Sequence, residues 1–181
     1  LEVHVESERT KDGIVRLLRS IFGTHIVTPT REEIGMFHAH AASLRSAQLG
    51  RQVGAAILSE RGDVIAVGSN EVPRFGGGSY WDSELPDERD HVRGFDSNDV
   101  AREQIVREVI EQLTPHWNEL DPAERQAVVE DGIARLRGTR IGSLTEFGRA
   151  VHAEADALLP AARLGSSPVG TTLYCTTFPC H

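Results

Sequence analysis

The chain has 181 residues, 39% hydrophobic and 25% charged, ordinary values for a globular domain with a substantial core. A formal net charge of −8 and a pI near 5.5 argue against a protein that lives on nucleic acid, which normally needs a basic face. No apolar run approaches membrane-span length, and two cysteines with no secretory signal before them are no disulfide framework, which points to a reducing cytoplasm.

In chain order, Ile14, Leu17, Leu18, Ile21 and Phe22 recur at three-and-four spacing and predict one amphipathic helix within residues 1–27, with Gly23 able to close it. Its apolar face either packs on the main domain or belongs to the tail of a preceding one. Thr30-Arg31-Glu32-Glu33 is a capping box, and Met36, Phe37, His40, Leu44 and Ala47 continue one helical face to about Gln48. That helix is expected to cover a sheet. Residues 52–58 (QVGAAIL) and 64–67 read as two strands of a hairpin, followed by Gly68-Ser69-Asn70.

Arg45 and Arg51 flank the first strand and are either solvated surface or guanidinium forks for phosphate. Asn70 serves either turn chemistry or, through its amide, a sugar hydroxyl. Residues 71–145 differ in composition, with Gly76-Gly77-Gly78, Tyr80-Trp81 and then DSELPDERDHVRGFDSND, dense in carboxylates. They read as a long functional loop followed by two helices, 100–113 and 122–137, together a helical insertion. Asp87, Asp90, His91, Asp96 and Asp99 form either a solvated acidic loop or ligands for a second metal.

The last stretch, VHAEADALLPAARLGSSPVGTTLYCTTFPCH, carries the chemistry. His152 and Glu154 stand at the start of a helix whose Ala155, Leu158, Leu159 and Ala162 are expected to face the sheet before Gly165 ends it. Residues 171–176 make a third strand, and Pro179-Cys180 follows. A thiolate and an imidazole suit Zn²⁺, which catalytic sites hold through three protein ligands. With 8 histidines in the chain, an HxE triplet arises by chance about once, so the triplet alone decides nothing. Read blandly, His152 opens a helix, Glu154 favours its dipole, and Cys180 is a small buried hydrophobe. Helix, strand, strand, insertion, helix and strand, with apolar central strands, predict an α/β sheet covered on both faces.

Taken together, MFHAHAASLRSAQLGRQVGAAI, GDVIAVGSNEVP, VHAEADALL and TLYCTTFPCH resemble the deoxycytidylate deaminase branch of the cytidine deaminase superfamily, in order as well as in wording. RFGGGSYW and ERDHVRGFDSND resemble more narrowly the bacterial antiphage deoxycytidine nucleotide deaminases, two-domain proteins with an N-terminal kinase-like domain. The resemblance implies a three-layer α/β/α fold with a mixed sheet, His152 and Cys180 as zinc ligands, Glu154 as proton shuttle and Asn70 on the deoxyribose. Residues 1–27 become the tail of the kinase-like domain, absent from this chain, or a linker, and residues 28–181 a truncated deaminase domain. The chain starts at Leu1 without a Met and stops at His181, two residues short of the second cysteine of PCxxC. The expectation is therefore a chain clipped at both ends, its third zinc ligand and closing strands outside it.

The expected activity is deamination of dCTP or dCMP to the uracil nucleotide, as antiphage nucleotide depletion. Arg45, Arg51 and Arg149 are the expected phosphate contacts, Arg149 because it precedes the HAE motif by three residues, where a helix start favours anions. The expected partners are a small-molecule deoxycytidine nucleotide and further copies of the chain, with no membrane and no nucleic acid as substrate. The competing readings are a nucleic-acid base deaminase and a non-catalytic nucleotide-binding module, whose function would not depend on Glu154.

Overall fold

The computed structural model describes residues 7–178, which fall into two units divided between Ile34 and Gly35. In the first unit, helix α1 (Ser7–Ile21) is followed by Gly23 at φ +61°. Arg16 donates to the Thr28 carbonyl at 2.6 Å and pairs with Glu33 at 2.7 Å. Helix α2 (Arg31–Ser43) opens on the expected capping box: Glu33 N–H donates to the Thr30 hydroxyl at 3.2 Å, and Thr30 N–H donates to the Glu33 carboxylate at 2.7 Å.

In the second unit, β1 (Gly54–Leu58) lies between β2 (Val64–Ser69) and β3 (Thr172–Cys175), antiparallel to both. A mixed sheet was expected; among the described residues both strand pairings are antiparallel. The register pairs Ala55 with Gly68 and Ile57 with Ala66, so these four share one face. On that face lies helix α6 (Ala153–Arg163), whose Ala153, Ala157 and Ala161 join Ala55, Ile57 and Ala66 in the core. A Cβ on Gly68 would run into the α6 backbone at Ala153 and Ala157. On the opposite face a Cβ on Gly54 would strike the α2 backbone at Ala39 and Ser43, and Gly35 accommodates the Tyr174 ring. Helix, sheet and helix stack in three layers, as the sequence predicts.

Two helical faces differ from expectation. Met36 and Phe37 on α2, and Leu44 just after it, are exposed, while Gly35, Ala39 and Ser43 are buried. On α6 Ala155, Leu158, Leu159 and Ala162 are exposed, and the alanines at positions 153, 157 and 161 point inward. The cause is shared: both helices approach the strands so closely that only glycine, alanine and serine fit between the backbones. Helix α2 also ends at Ser43, short of Gln48, because the following residues serve the sheet edge. Ser46 Oγ donates to the Asn70 carbonyl at 2.7 Å, and Ala47 N–H donates to the Glu71 carboxylate at 2.6 Å.

The insertion contains a short helix α3 (Asp90–Arg93), then α4 (Ser97–Leu113) and α5 (Pro122–Leu136). Helix α4 begins three residues before the expected start because Asp96 caps it, accepting from Asn98 N–H at 2.7 Å. Helix α5 starts where Asp121-Pro122-Ala123-Glu124 predicts, with both capping-box hydrogen bonds in place. Ile110 of α4 packs on Gly132 of α5. The insertion leaves and rejoins the sheet at one point, where Glu71 and Val151 form an antiparallel bridge with Val151 N–H donating to the Glu71 carbonyl at 3.0 Å.

Candidate active site

The bridge at Val151 delivers the chain into α6, so the residues just after it are fixed from both sides. His152 is the N-cap, with extended backbone angles φ −65° and ψ 146°, and its carbonyl accepts the first helical hydrogen bond from Asp156 N–H at 2.9 Å. Its side chain makes no capping hydrogen bond. Asp156 fastens this turn to the sheet, its carboxylate accepting from Ser69 N–H at 2.9 Å. The start of α6 is held by strand pairing behind it and a charge-assisted bond beneath it.

A cavity of about 400 Å³ opens here, within the size range of small-molecule sites. Arg51, Asn70, His152 and Glu154 line it together, and the insertion contributes Asp96 and Asn98 to its wall. Asn98 is buried and clamps the approach to α6, donating to the Leu144 carbonyl at 2.7 Å and accepting from Phe147 N–H at 3.3 Å.

Asn70 is largely committed to backbone: its Oδ1 accepts from Val53 N–H at 2.6 Å and its Nδ2 donates to the Arg51 carbonyl at 2.7 Å. One amide N–H remains for a ligand. Arg51 sits at the rim, donating to Thr177 Oγ1 at 2.8 Å. The other two candidate arginines stand apart from the cavity lining. Arg45 stacks on Trp81, 4.4 Å from the ring centroid. Arg149 donates to the Asp90 carboxylate at 2.9 Å and to the Glu88 carbonyl at 2.8 Å, tying the insertion to the chain just before His152.

Glu154, in the first turn of α6, accepts a hydrogen bond from the Cys175 thiol, Sγ to Oε1 3.4 Å. Burial pushes the Cys175 thiol above its ordinary pKa, and the neighbouring Glu154 carboxylate acts in the same direction, so the thiol stays neutral. Glu71 was not foreseen from the sequence. It is buried, its carboxylate accepts from Ala47 and Val72 N–H, and its carbonyl holds Val151. Nothing in its local sequence distinguishes it from a surface acid.

The acidic residues of the insertion are engaged individually. Asp87 pairs with Arg89 at 2.6 Å, Asp90 with Arg149, Asp99 with Arg102 at 2.8 Å, and Asp96 caps α4. Among the described residues no three His, Cys, Asp or Glu side chains converge on one point. Cys180, the second expected zinc ligand, lies outside the described residues.

The three-layer α/β/α domain thus brings His152, the N-cap of a sheet-packed helix, and Glu154, in that helix's first turn, into the lining of one cavity. The family model for the cytidine and deoxycytidylate deaminase zinc-binding region matches residues 29–181. The chain belongs to that family, and with it to the zinc-dependent hydrolytic deaminases. No curated protein matches the chain. Of the two expected zinc donors, His152 is among the described residues; it lines the cavity and its side chain makes no capping hydrogen bond, which is compatible with a Zn²⁺ ligand. Among the described residues no helix is long and apolar enough to cross a membrane.

Proposed function

We propose that this chain deaminates deoxycytidine nucleotides, dCTP or dCMP, to the corresponding uracil nucleotides and ammonia. The observation that carries the reading is the convergence of His152, Glu154, Asn70 and Arg51 on one cavity. His152 and Cys180 would hold Zn²⁺, which would supply the Lewis acidity that makes water a usable nucleophile near neutral pH. Glu154 accepts one proton of the water attacking C4 of cytosine and delivers it to ring N3, then transfers the remaining hydroxyl proton to the amino group, which leaves as ammonia as the C4 carbonyl forms. The free amide N–H of Asn70 takes a sugar hydroxyl. Arg51, the cavity's arginine among the described residues, takes phosphate at the rim.

A net charge of −8 favours a free nucleotide over a strand, because long-range repulsion grows with the phosphates presented while one guanidinium still holds one phosphate tail. By resemblance, the biological output is antiphage depletion of deoxycytidine nucleotides. On the same reading residues 1–27 are the tail of a kinase-like domain or a linker.

The test is ammonia release from dCTP, dCMP, deoxycytidine and a cytosine-containing single strand, with Glu154→Gln and Arg51→Ala beside the wild type. Glu154→Gln keeps fold and metal and loses on the order of 10²-fold or more in turnover, because an amide cannot shuttle protons. Arg51→Ala raises KM for the nucleotides and leaves deoxycytidine unaffected. Preference for the strand, or full turnover by Glu154→Gln, defeats the reading.

A further inference from the structure

We propose that Cys175 is a positioning residue for Glu154: its thiol holds the carboxylate in the orientation proton transfer requires. This rests on the deaminase reading of the site and adds a residue to it. Cys175 is the last residue of β3 and pairs with Ala55 on the central strand, so its Cα is fixed by the sheet and not by a loop. Strand alternation turns Tyr174 toward Gly35 of α2 and Cys175 toward α6, where it packs against the core cluster containing Ala153. The thiol thereby lies under the first turn of α6, with Sγ 3.4 Å from Glu154 Oε1. Among the described residues this is the only hydrogen bond to the Glu154 carboxylate.

The direction of the bond matters. A neutral thiol donates weakly, and its donation fixes one carboxylate oxygen while leaving the other free to face the cavity. A strong donor such as arginine would hold the carboxylate more tightly and lower its basicity. A weak donor on a rigid strand restricts rotation of a side chain that must both accept and release a proton within one turnover.

Three variants and one spectrum test this. Cys175→Val fills similar space without a donor. Its kcat is expected to fall on the order of 10-fold with KM and zinc content little changed, because a misoriented catalytic group costs rate and not binding. Cys175→Ser restores a donor and is expected to recover most of the lost kcat. Independently of activity, the infrared S–H stretch that disappears in Cys175→Ser should shift toward the free-thiol position in Glu154→Ala. An active wild type whose Cys175→Val variant keeps its kcat, or an S–H band indifferent to Glu154→Ala, overturns the inference and leaves the deaminase reading intact. A wild type inactive on every cytosine substrate overturns that reading and with it the role given to Cys175.

Discussion

Gly68→Ala places one methyl group where the sheet meets α6. The added Cβ would meet Ala157 N, Ala153 O and the Asp156 carbonyl carbon, all backbone atoms that no rotamer change can remove. Either α6 lifts away or β2 bends. Overpacking of this kind typically costs about 1–3 kcal/mol. A helix displaced by roughly 1 Å also weakens the Asp156 bond to Ser69 N–H, and bonds of that charged type contribute about 1.5–3 kcal/mol. Against this, alanine recovers about 0.5–1 kcal/mol of backbone entropy. The net expectation is a loss of about 3 kcal/mol, which lowers Tm by roughly 6–12 °C in a chain of this length. Because His152 and Glu154 ride on the displaced turn, kcat should fall on the order of 10²-fold, more than loss of folded protein explains. Urea denaturation and ammonia release measure the two effects. Gly138→Ala is the control, since a Cβ there meets nothing within 4 Å. If Gly68→Ala unfolds within about 0.5 kcal/mol of wild type with normal turnover, the close helix–sheet contact does not organise the site.

Two further perturbations address the insertion. Arg149→Met strands the Asp90 carboxylate, which is only 2% exposed, and should destabilise by about 3 kcal/mol, with Asp90→Asn added to it recovering most of the loss; a single-variant cost below about 1 kcal/mol contradicts a structural role for the pair. The Asp87 carboxyl is held below its ordinary pKa, chiefly by its hydrogen bond from the Arg89 side chain. Its contribution is therefore fully present above the unfolded-state value and disappears as pH falls through the lower folded value. Asp87→Asn should lower stability at neutral pH and flatten the acid limb of the stability curve, and an unchanged acid limb in urea titrations refutes this.

Local chemistry was legible in the sequence wherever a short-range bond defines it. The Thr30 and Asp121 capping boxes start their helices where their residues say, and Gly165 takes the left-handed φ of +70° just after α6. His152, Glu154 and Asn70 were named from motif and resemblance and Arg51 from its place beside the first strand, and the fold brings all four to one cavity lining. What failed was the choice of helical face. Hydrophobicity directs Met36, Phe37, Leu158 and Leu159 inward, but the contact distance is set by the partner strand, and at Gly54 and Gly68 that distance admits only small residues. Periodicity does not encode how near a neighbouring backbone comes. Arg149 illustrates a second gap: its position before the HAE motif suggests an anion site, whereas its partner Asp90 is remote in sequence and joined only by the fold. Glu71 and Cys175 act through the same kind of long-range juxtaposition.

The bridge between Glu71 and Val151 gives the insertion a closed root, and a closed root changes how the chain can diversify. Once two ends are stapled, lengthening the segment between them costs only about 0.6 kcal/mol per doubling, so its outer part can grow or be rebuilt with little penalty to the sheet. The constraint is concentrated near the root, where Asp96 and Asn98 form cavity wall and Arg149 meets Asp90. The α4–α5 hairpin beyond it is accordingly a graft site, at which a new module could be carried by the domain without disturbing the turn that holds His152 and Glu154.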